Sequence, residues 1–329
     1  MDEETLRLGG LRKFRHATRG HHRLGNGDSL SRVSTTARPD NVTLAAFAGV
    51  IVLGGANSVA IRFSNVELPP FSGAAARFAT AALLMFAAML FLRLPFPRGR
   101  ALAGIVVFGV LNFGLSYALI YWGLLEVQAG LAQVVIAIAP LLTFFLALAH
   151  RQESWQLRPI FGSLLAIAGI AVVFGEQVSA AIPLLPLLAI VATAICIAEA
   201  TVLVKGFPPV HIVTLNAVAM AVGTAFLAAL ALVAGEHVAV PTRMETWLAF
   251  WYLVLIGTVA VFLLFLFVLR RWTASGRSYA FVLTPFVTVA IGVWLAHETV
   301  TWTFLVGGAL VLVGVYVGAL AATNRGATA

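Results

Sequence analysis

AGLAQVVIAIAPLLTFFLALAHRQESWQLRPIFGSLLAIAGIAVVF, residues 129–174, is a stretch that this chain carries twice. Pro140 and Pro285 lie 145 residues apart, and the same offset carries Ala129 onto Ala274, Thr143 onto Thr288, Glu153 onto Glu298, Gly162 onto Gly307 and Gly169 onto Gly314. Each copy is an apolar, helix-length run holding a proline, a short polar corner near a glutamate, and a second apolar run with spaced glycines. Matches held at one fixed offset mark an internal duplication.

The rest of the chain is built of the same material. Of its 329 residues, 61% are apolar and 10% charged, whereas about a quarter of ordinary soluble sequence is charged. A water-soluble domain could not hide so much apolar surface, so the chain reads as a polytopic membrane protein. A bilayer core needs about 20 mostly apolar residues per spanning helix. Cutting at Pro, Gly and charge clusters gives ten such runs, near 43–62, 71–92, 101–122, 128–149, 157–174, 183–204, 211–234, 246–268, 277–297 and 301–322. The expected fold is an all-α integral membrane protein of ten transmembrane helices in two five-helix repeats, 43–176 and 183–322. Residues 1–42 form a basic tail rich in Gly, Ser, Thr and His, which is expected to be disordered.

Orientation follows the Lys and Arg residues. With the N-terminus in the cytoplasm, eighteen of the 21 fall on the inner side and only Arg62, Arg77 and Arg243 on the outer. Both termini are therefore expected inside, in a bacterial inner membrane. Because each repeat has an odd number of helices, the second enters the membrane in the opposite sense. The repeats are then inverted, with Glu153 at an inner corner and Glu298 at an outer one. Inverted repeats are a construction of secondary transporters working by alternating access, since exchanging the conformations of the halves opens the site to the other side.

Composition also narrows the chemistry. The net charge is +8, and eight of the 21 Lys and Arg residues lie in the first forty positions, where a membrane protein uses them as a topology signal against anionic headgroups. Nucleic acid is not an expected partner. Cys196 stands alone in an apolar run and the histidines form no ligand constellation, so no metal is expected. No Walker loop, dinucleotide fingerprint or zinc-protease motif is present. Catalysis, ATP-driven pumping and bound cofactors find no support, and the protein is expected to work as a monomer.

Helical periodicity selects candidate faces. On the third run, Asn112, Ser116, Tyr117 and Tyr121 share one side with Gly109 and Phe113. Such a side faces protein or water, because an amide against hydrocarbon goes unpaired. It reads either as cavity lining or as polar glue between helices, with Tyr121 in the interfacial belt. The eighth run places Trp251, Leu255, Thr258 and Phe262 on one stripe, which is packing or a binding surface. In the fourth run Gln133, Ala137, Pro140 and Phe144 align, matched in the ninth by Ser278, Val282, Pro285 and Val289. The two prolines are candidate hinges, since each removes a helical hydrogen bond. Asn57 occupies an outer-third position in the first run. Glu199, in the inner third of the sixth, is a candidate proton-coupling group or a structural partner of a neighbouring helix. Arg77 is expected to snorkel, and Trp122, Trp247, Tyr252, Trp294 and Trp302 to anchor at the outer interface.

These residues also resemble a known family. The run from Leu53 through Gly54, Gly55, Ala56, Asn57 and Ser58 to Arg62, then Pro69-Pro70 and Arg77-Phe78, is similar to the opening of EamA-type members of the drug/metabolite transporter superfamily. The paired Pro140…Glu153…Gly162…Gly169 and Pro285…Glu298…Gly307…Gly314 resemble that family's repeated signature. The likeness covers residues 43–322. It departs where the family often has a tryptophan and this chain has Leu53, so that ring's contacts do not transfer. The resemblance implies a metabolite exporter with a central cavity lined by helices 1, 3, 4, 6, 8 and 9, and packing roles for helices 5 and 10. Within the family the general look is nearest to YddG-type exporters of aromatic amino acids.

The leading expectation is an exporter of small, partly apolar metabolites, with amino acids first. Alternatives are an exporter of nucleosides or cationic drugs, or a membrane scaffold without transport. A cation site would want a membrane carboxylate in the first helix, which is missing, and a sugar-phosphate exchanger would want basic groups near mid-membrane.

Overall fold

The computed structural model describes residues 40–179, 184–271 and 280–320, and no strand occurs among them. The basic tail and Ser278 lie outside the described residues. The rods are α1 (Asn41–Ser64), α2 (Pro70–Phe91), α3 (Arg100–Gly123), α4 (Ala129–Ala149), α5 (Leu157–Ser179), α6 (Leu184–Val204), α7 (Ile212–Val233), α8 (244–271), α9 (Ala280–Ala296) and α10 (302–320). Seven of them carry apolar spans of 21 to 24 residues, and α5, α9 and α10 contribute shorter apolar stretches. At about 1.5 Å per residue the longer ones cross a bilayer core of about 30 Å. Leu83, Leu90, Phe91, Leu232, Trp294 and Trp302 stand exposed on the flanks, an apolar exterior that fits lipid and not water.

Glycine decides how two of the rods meet. Helices α5 and α10 cross with Gly162 against Gly314 and Gly169 against Gly307. A Cβ on Gly169 would stand 2.5 Å from the Gly307 carbonyl oxygen, and one on Gly307 2.8 Å from that of Gly169. Only backbone fits in that gap, which is how small residues serve helix pairs in membranes. As the number rises on one helix it falls on the other, so the pair is antiparallel. Elsewhere α2 lies along α7, α1 packs on α8 and α9, and α6 on α3 and α4.

Carboxylates hold helix starts. Asp40 caps α1 by accepting from the Thr43 N–H at 2.9 Å. Glu236 accepts from Phe71 and Ser72 at the start of α2, at 3.2 and 2.7 Å, and Glu67 from Thr242 and Arg243 just before α8, at 3.1 and 3.0 Å. Unsatisfied N–H groups and the helix dipole both favour negative charge there. The Thr242 side chain first, the Thr246 side chain next and these two N–H groups hold the Glu67 carboxyl down to about 2. At helix ends, Arg93 and Arg151 adopt positive φ of 51° and 58°, closing α2 and α4 with a basic residue where the carbonyls end.

The duplication persists in the helical pitch. α3 widens to i→i+5 pairing over Gly109–Leu115 and α8 over Tyr252–Ala260. Shifted by 145, the first segment falls inside the second. The prolines behave differently. α4 breaks at Ala137 and Ile138 into Ala129–Ile136 and Ala139–Ala149, with Pro140 in the first turn of the second piece, where its missing N–H costs nothing. Pro285 lies inside an uninterrupted helix.

Candidate functional site

A cavity of about 190 Å³ lies among α1, α3, α4 and α6. Of the residues singled out from the sequence, Asn57, Ser116, Tyr117 and Gln133 line it, together with Ser58 and Thr193. The Ser58 hydroxyl donates to the Gln133 side-chain carbonyl at 3.2 Å, tying α1 to α4. Thr193 donates to the Ala189 and Ser116 carbonyls at 3.0 and 3.3 Å, and Ser116 to the Asn112 carbonyl. The Asn57 amide donates to the Gly257 carbonyl at 3.0 Å, while its Oδ1 is buried with no partner. Any side chain at 257 would run into that oxygen, so glycine is what lets Asn57 reach α8. The wall is neutral: hydroxyls, two amides and one phenol against isoleucines. Its volume is below the roughly 300–1,000 Å³ usual for small-molecule sites, so a bound metabolite requires the helices to part.

The other candidates sit elsewhere. Asn112 lines no described cavity. Trp251 is 45% exposed and lines a larger groove of about 730 Å³ with Val59, Ala60, Phe63, Leu255 and Ile256, between α1, α8 and α9. Glu245 is the one charged group along that groove. A recognition site needs a few convergent polar groups, and this groove lacks them, so the smaller cavity is the better candidate. Tyr252, expected in the interfacial belt, instead donates to the Leu53 carbonyl in mid-α1 at 2.6 Å.

Tyr121 and Thr258 belong to a second polar centre, around Arg77. This arginine, expected to snorkel, is 1% exposed. The face of α2 that carries it turns inward between α3 and α8, where acceptors wait. Thr258 Oγ1 accepts from its Nε and Nη2, both at 3.1 Å, and the Tyr121 hydroxyl accepts from Nη1 at 3.3 Å. The guanidinium carbon lies 5.2 Å from the Phe78 ring and 5.3 Å from the Tyr117 ring, within cation–π range. Tyr117 therefore touches both centres.

Near the far end of α4, Glu199 Oε1 lies 2.8 Å from His150 Nε2, and its Oε2 is buried without a partner. It does not line the cavity. Glu298 is buried and accepts from Arg62 Nη1 at 2.6 Å and from the Ala129 and Gly130 N–H groups, at 2.6 and 3.1 Å. The repeated glutamate is thus a clamp on the start of α4. Glu153, four residues past the end of α4, is exposed at the opposite end of the bundle.

Sequence reasoning missed Ser58, Thr193 and the burial of Arg77. Thr193 carried a signal, being the first hydroxyl in a helix that is apolar from Leu184 to Ala192.

Helices long enough to span a bilayer, a duplicated design and a neutral polar cavity between the copies define a membrane transporter. The chain belongs to the EamA-like transporter family, whose profile matches it twice, over residues 42–175 and 184–319. Among curated relatives, a protein of Streptantibioticus cattleyicolor named "Probable terminal-alkyne amino-acid exporter" is 38% identical over 77 residues, 23% of this chain and 26% of that protein. The chain thus matches about a quarter of that relative's length. The "Uncharacterized transporter YoaV" of Bacillus subtilis is 22% identical over 286 residues, 84% of this chain and 96% of the relative. A solved crystal structure covers 86% of this chain and 98% of its own, with a TM-score of 0.59 at 20% identity, a likeness of fold alone.

Proposed function

We propose that this protein is a secondary exporter of small metabolites, with aromatic and other apolar amino acids first, working by alternating access in a bacterial inner membrane. Its repeats are inverted, 43–176 against 183–322, and both termini are cytoplasmic. The observation that carries this reading is the neutral cavity formed by α1, α3 and α4 of one copy and α6 of the other. Hydroxyls and amides replace water around an ammonium and a carboxylate, and the Tyr117 ring offers a surface for an apolar side chain. A strongly charged wall would hold a zwitterion too tightly for release. The antiparallel crossing of α5 and α10 supports the inverted arrangement, and the name of the Streptantibioticus relative supports amino acids as cargo. Pro140 and Pro285 serve as hinges, with α4 broken just before Pro140 and α9 uninterrupted through Pro285. Glu199, paired with His150, is the group available for proton coupling.

The test is counterflow in proteoliposomes with a panel of amino acids, nucleosides and organic cations. Phenylalanine and tryptophan are expected to exchange. Tyr117→Ala is expected to weaken them by about 0.5–1.5 kcal/mol beyond lost area, with less effect on threonine and alanine. Equal loss for every substrate would assign Tyr117 to the fold instead.

A further inference from the structure

The groove between α1, α8 and α9, about 730 Å³, has the polarity of an amphiphile. Its walls are aliphatic and aromatic, and its one charged lining group, Glu245, stands at one end, in the first turn of α8. From Glu245 to Ile256, the farthest lining residue along α8, the helix rises by about 16 Å at about 1.5 Å per residue.

The other two walls keep the same direction. Glu67, just past the end of α1, accepts from the Arg243 N–H, and Arg62 pairs with Glu298, just past the end of α9, so the start of α8 lies with the ends of α1 and α9. Phe63 and Leu295 therefore line the groove near Glu245. Ala56 and Ile291 line it deeper, where the Asn57 amide reaches the Gly257 carbonyl. Half of a bilayer core is about 15 Å, so the groove begins at the interface and ends near the midplane, the depth of a single leaflet. Leu248, Trp251, Leu255 and Leu295 are exposed along it, and it opens sideways to lipid.

The charged end suits a dipole. Arg243 Nε lies 3.2 Å from Glu245 Oε2, and both side chains are more than half exposed. That contact leaves Glu245 Oε1 and both terminal nitrogens of Arg243 without a partner among the described residues. An acceptor for an ammonium thus stands beside a donor fork for a phosphate. On its other side α1 lines the central cavity with Gly54, Asn57 and Ser58.

We propose that this groove binds one phospholipid with a primary-amine headgroup: an acyl chain fills the space from Phe63 to Ile256, the phosphate pairs with Arg243, and the ethanolamine ammonium pairs with Glu245. In the orientation proposed above this is a lipid of the outer leaflet. A quaternary ammonium has no N–H to donate to the carboxylate, and an anionic glycerol headgroup brings no positive charge to meet it, so both are disfavoured. The site is separate from that of the cargo and lies behind a helix that walls the central cavity.

The experiment uses the full chain in phosphatidylcholine nanodiscs doped with lipids brominated on their acyl chains, which quench nearby tryptophan. The Trp251 signal is the difference between the unmodified protein and Trp251→Phe. Brominated phosphatidylethanolamine is expected to quench it at about one third of the mole fraction that brominated phosphatidylcholine or phosphatidylglycerol requires, the scale of exposed ionic contacts. Glu245→Gln, at an exposed position, is expected to bring the three headgroups level, and Ala60→Phe, which fills the groove, to reduce quenching by all of them. Equal quenching by the three lipids in the unmodified protein, an ethanolamine preference that survives Glu245→Gln, or undiminished quenching in Ala60→Phe would overturn the proposal and leave the groove to ordinary bilayer lipid. No quenching of Trp251 by any of them would show the groove covered by protein, as by a second copy of this chain, and would overturn it equally. None of these readouts involves counterflow, so failure here leaves the transport reading standing.

Discussion

The two ends of the bundle are fastened by different chemistry. At the Glu298 end, Glu67, Glu236 and Glu298 each cross from one repeat to the other and accept from backbone N–H groups at helix starts. At the Glu153 end no carboxylate caps a helix start of the other repeat among the described residues: Asp40 pairs with Arg271 at 3.6 Å, both more than half exposed, His150 with Glu199 at 2.8 Å, and the Gln152 amide donates to the Val202 carbonyl at 3.2 Å. A backbone donor is positioned by its whole helix, so the carboxylate that meets it gives up little freedom. A pair of long side chains in water must be ordered and is screened by salt, and it contributes little. The contrast teaches that this structure is latched by helix-start carboxylates at one end and held by weaker polar contacts at the other.

The largest effect expected from this contrast is at Glu298. Glu298→Ala leaves Arg62 and two helix-start N–H groups without their acceptor. Breaking a buried ion pair costs about 3–5 kcal/mol, and Arg62, 30% exposed, puts this one at the low end, about 3 kcal/mol by thermal unfolding. Glu153→Ala, at the exposed equivalent position, is expected to stay within about 0.5 kcal/mol. Similar losses at both corners would break the comparison.

A second, smaller effect is one of pH. Glu67 lies in the α1–α2 corner with its carboxyl held down to about 2 from an ordinary 4.5, chiefly by the Thr242 hydroxyl. A depressed carboxyl contributes stability that is fully present above its unfolded value and is lost as the pH falls through its folded one. Melting temperature should therefore decline between about pH 4.5 and 2, and Glu67→Gln should flatten that part of the profile. An unchanged profile would remove Glu67 from the latch.

The smallest effect is expected at the Glu153 end. His150→Gln, at a pair whose side chains are 38% and 24% exposed, should cost no more than about 0.5 kcal/mol, and the cost should shrink with added salt. A loss as large as that of Glu298→Ala would show that the two ends are equally fastened.

Hydropathy and the 145-residue offset made the helices and their duplication legible, because length and apolarity are properties of each segment by itself. Four of the six polar residues of the central cavity were legible too: Asn57, Ser116, Tyr117 and Gln133 were chosen as polar positions on apolar helices, and they line it together. The stripe from Trp251 to Thr258 was not, for a physical reason. A wheel of 100° per residue assumes α pitch, and α8 pairs i→i+5 over residues 252–260, so the phase drifts along the stripe. Trp251 turns toward the groove while Thr258 turns toward Arg77. Burial of Arg77 was equally out of reach, since its acceptor Thr258 is 181 residues away in sequence. The broken α4 and uninterrupted α9 show the same limit: the shared Pro140 and Pro285 do not by themselves decide whether the helix around them breaks.

The crossing of α5 and α10 has a consequence for how such a chain arose. Gly307 and Gly314 are the shifted images of Gly162 and Gly169, yet Gly162 meets Gly314 and Gly169 meets Gly307. A contact in which position i touches j and j touches i is isologous, the kind a two-fold homodimer makes. A single five-helix polypeptide with these two glycines could therefore have paired with a second molecule of itself inserted the other way up. In such an ancestor each glycine was selected on both sides of the seam at once. After fusion into one chain the two sides are separate codons, yet a Cβ at any of the four places would collide with the facing helix, so the seam still demands glycine on both sides.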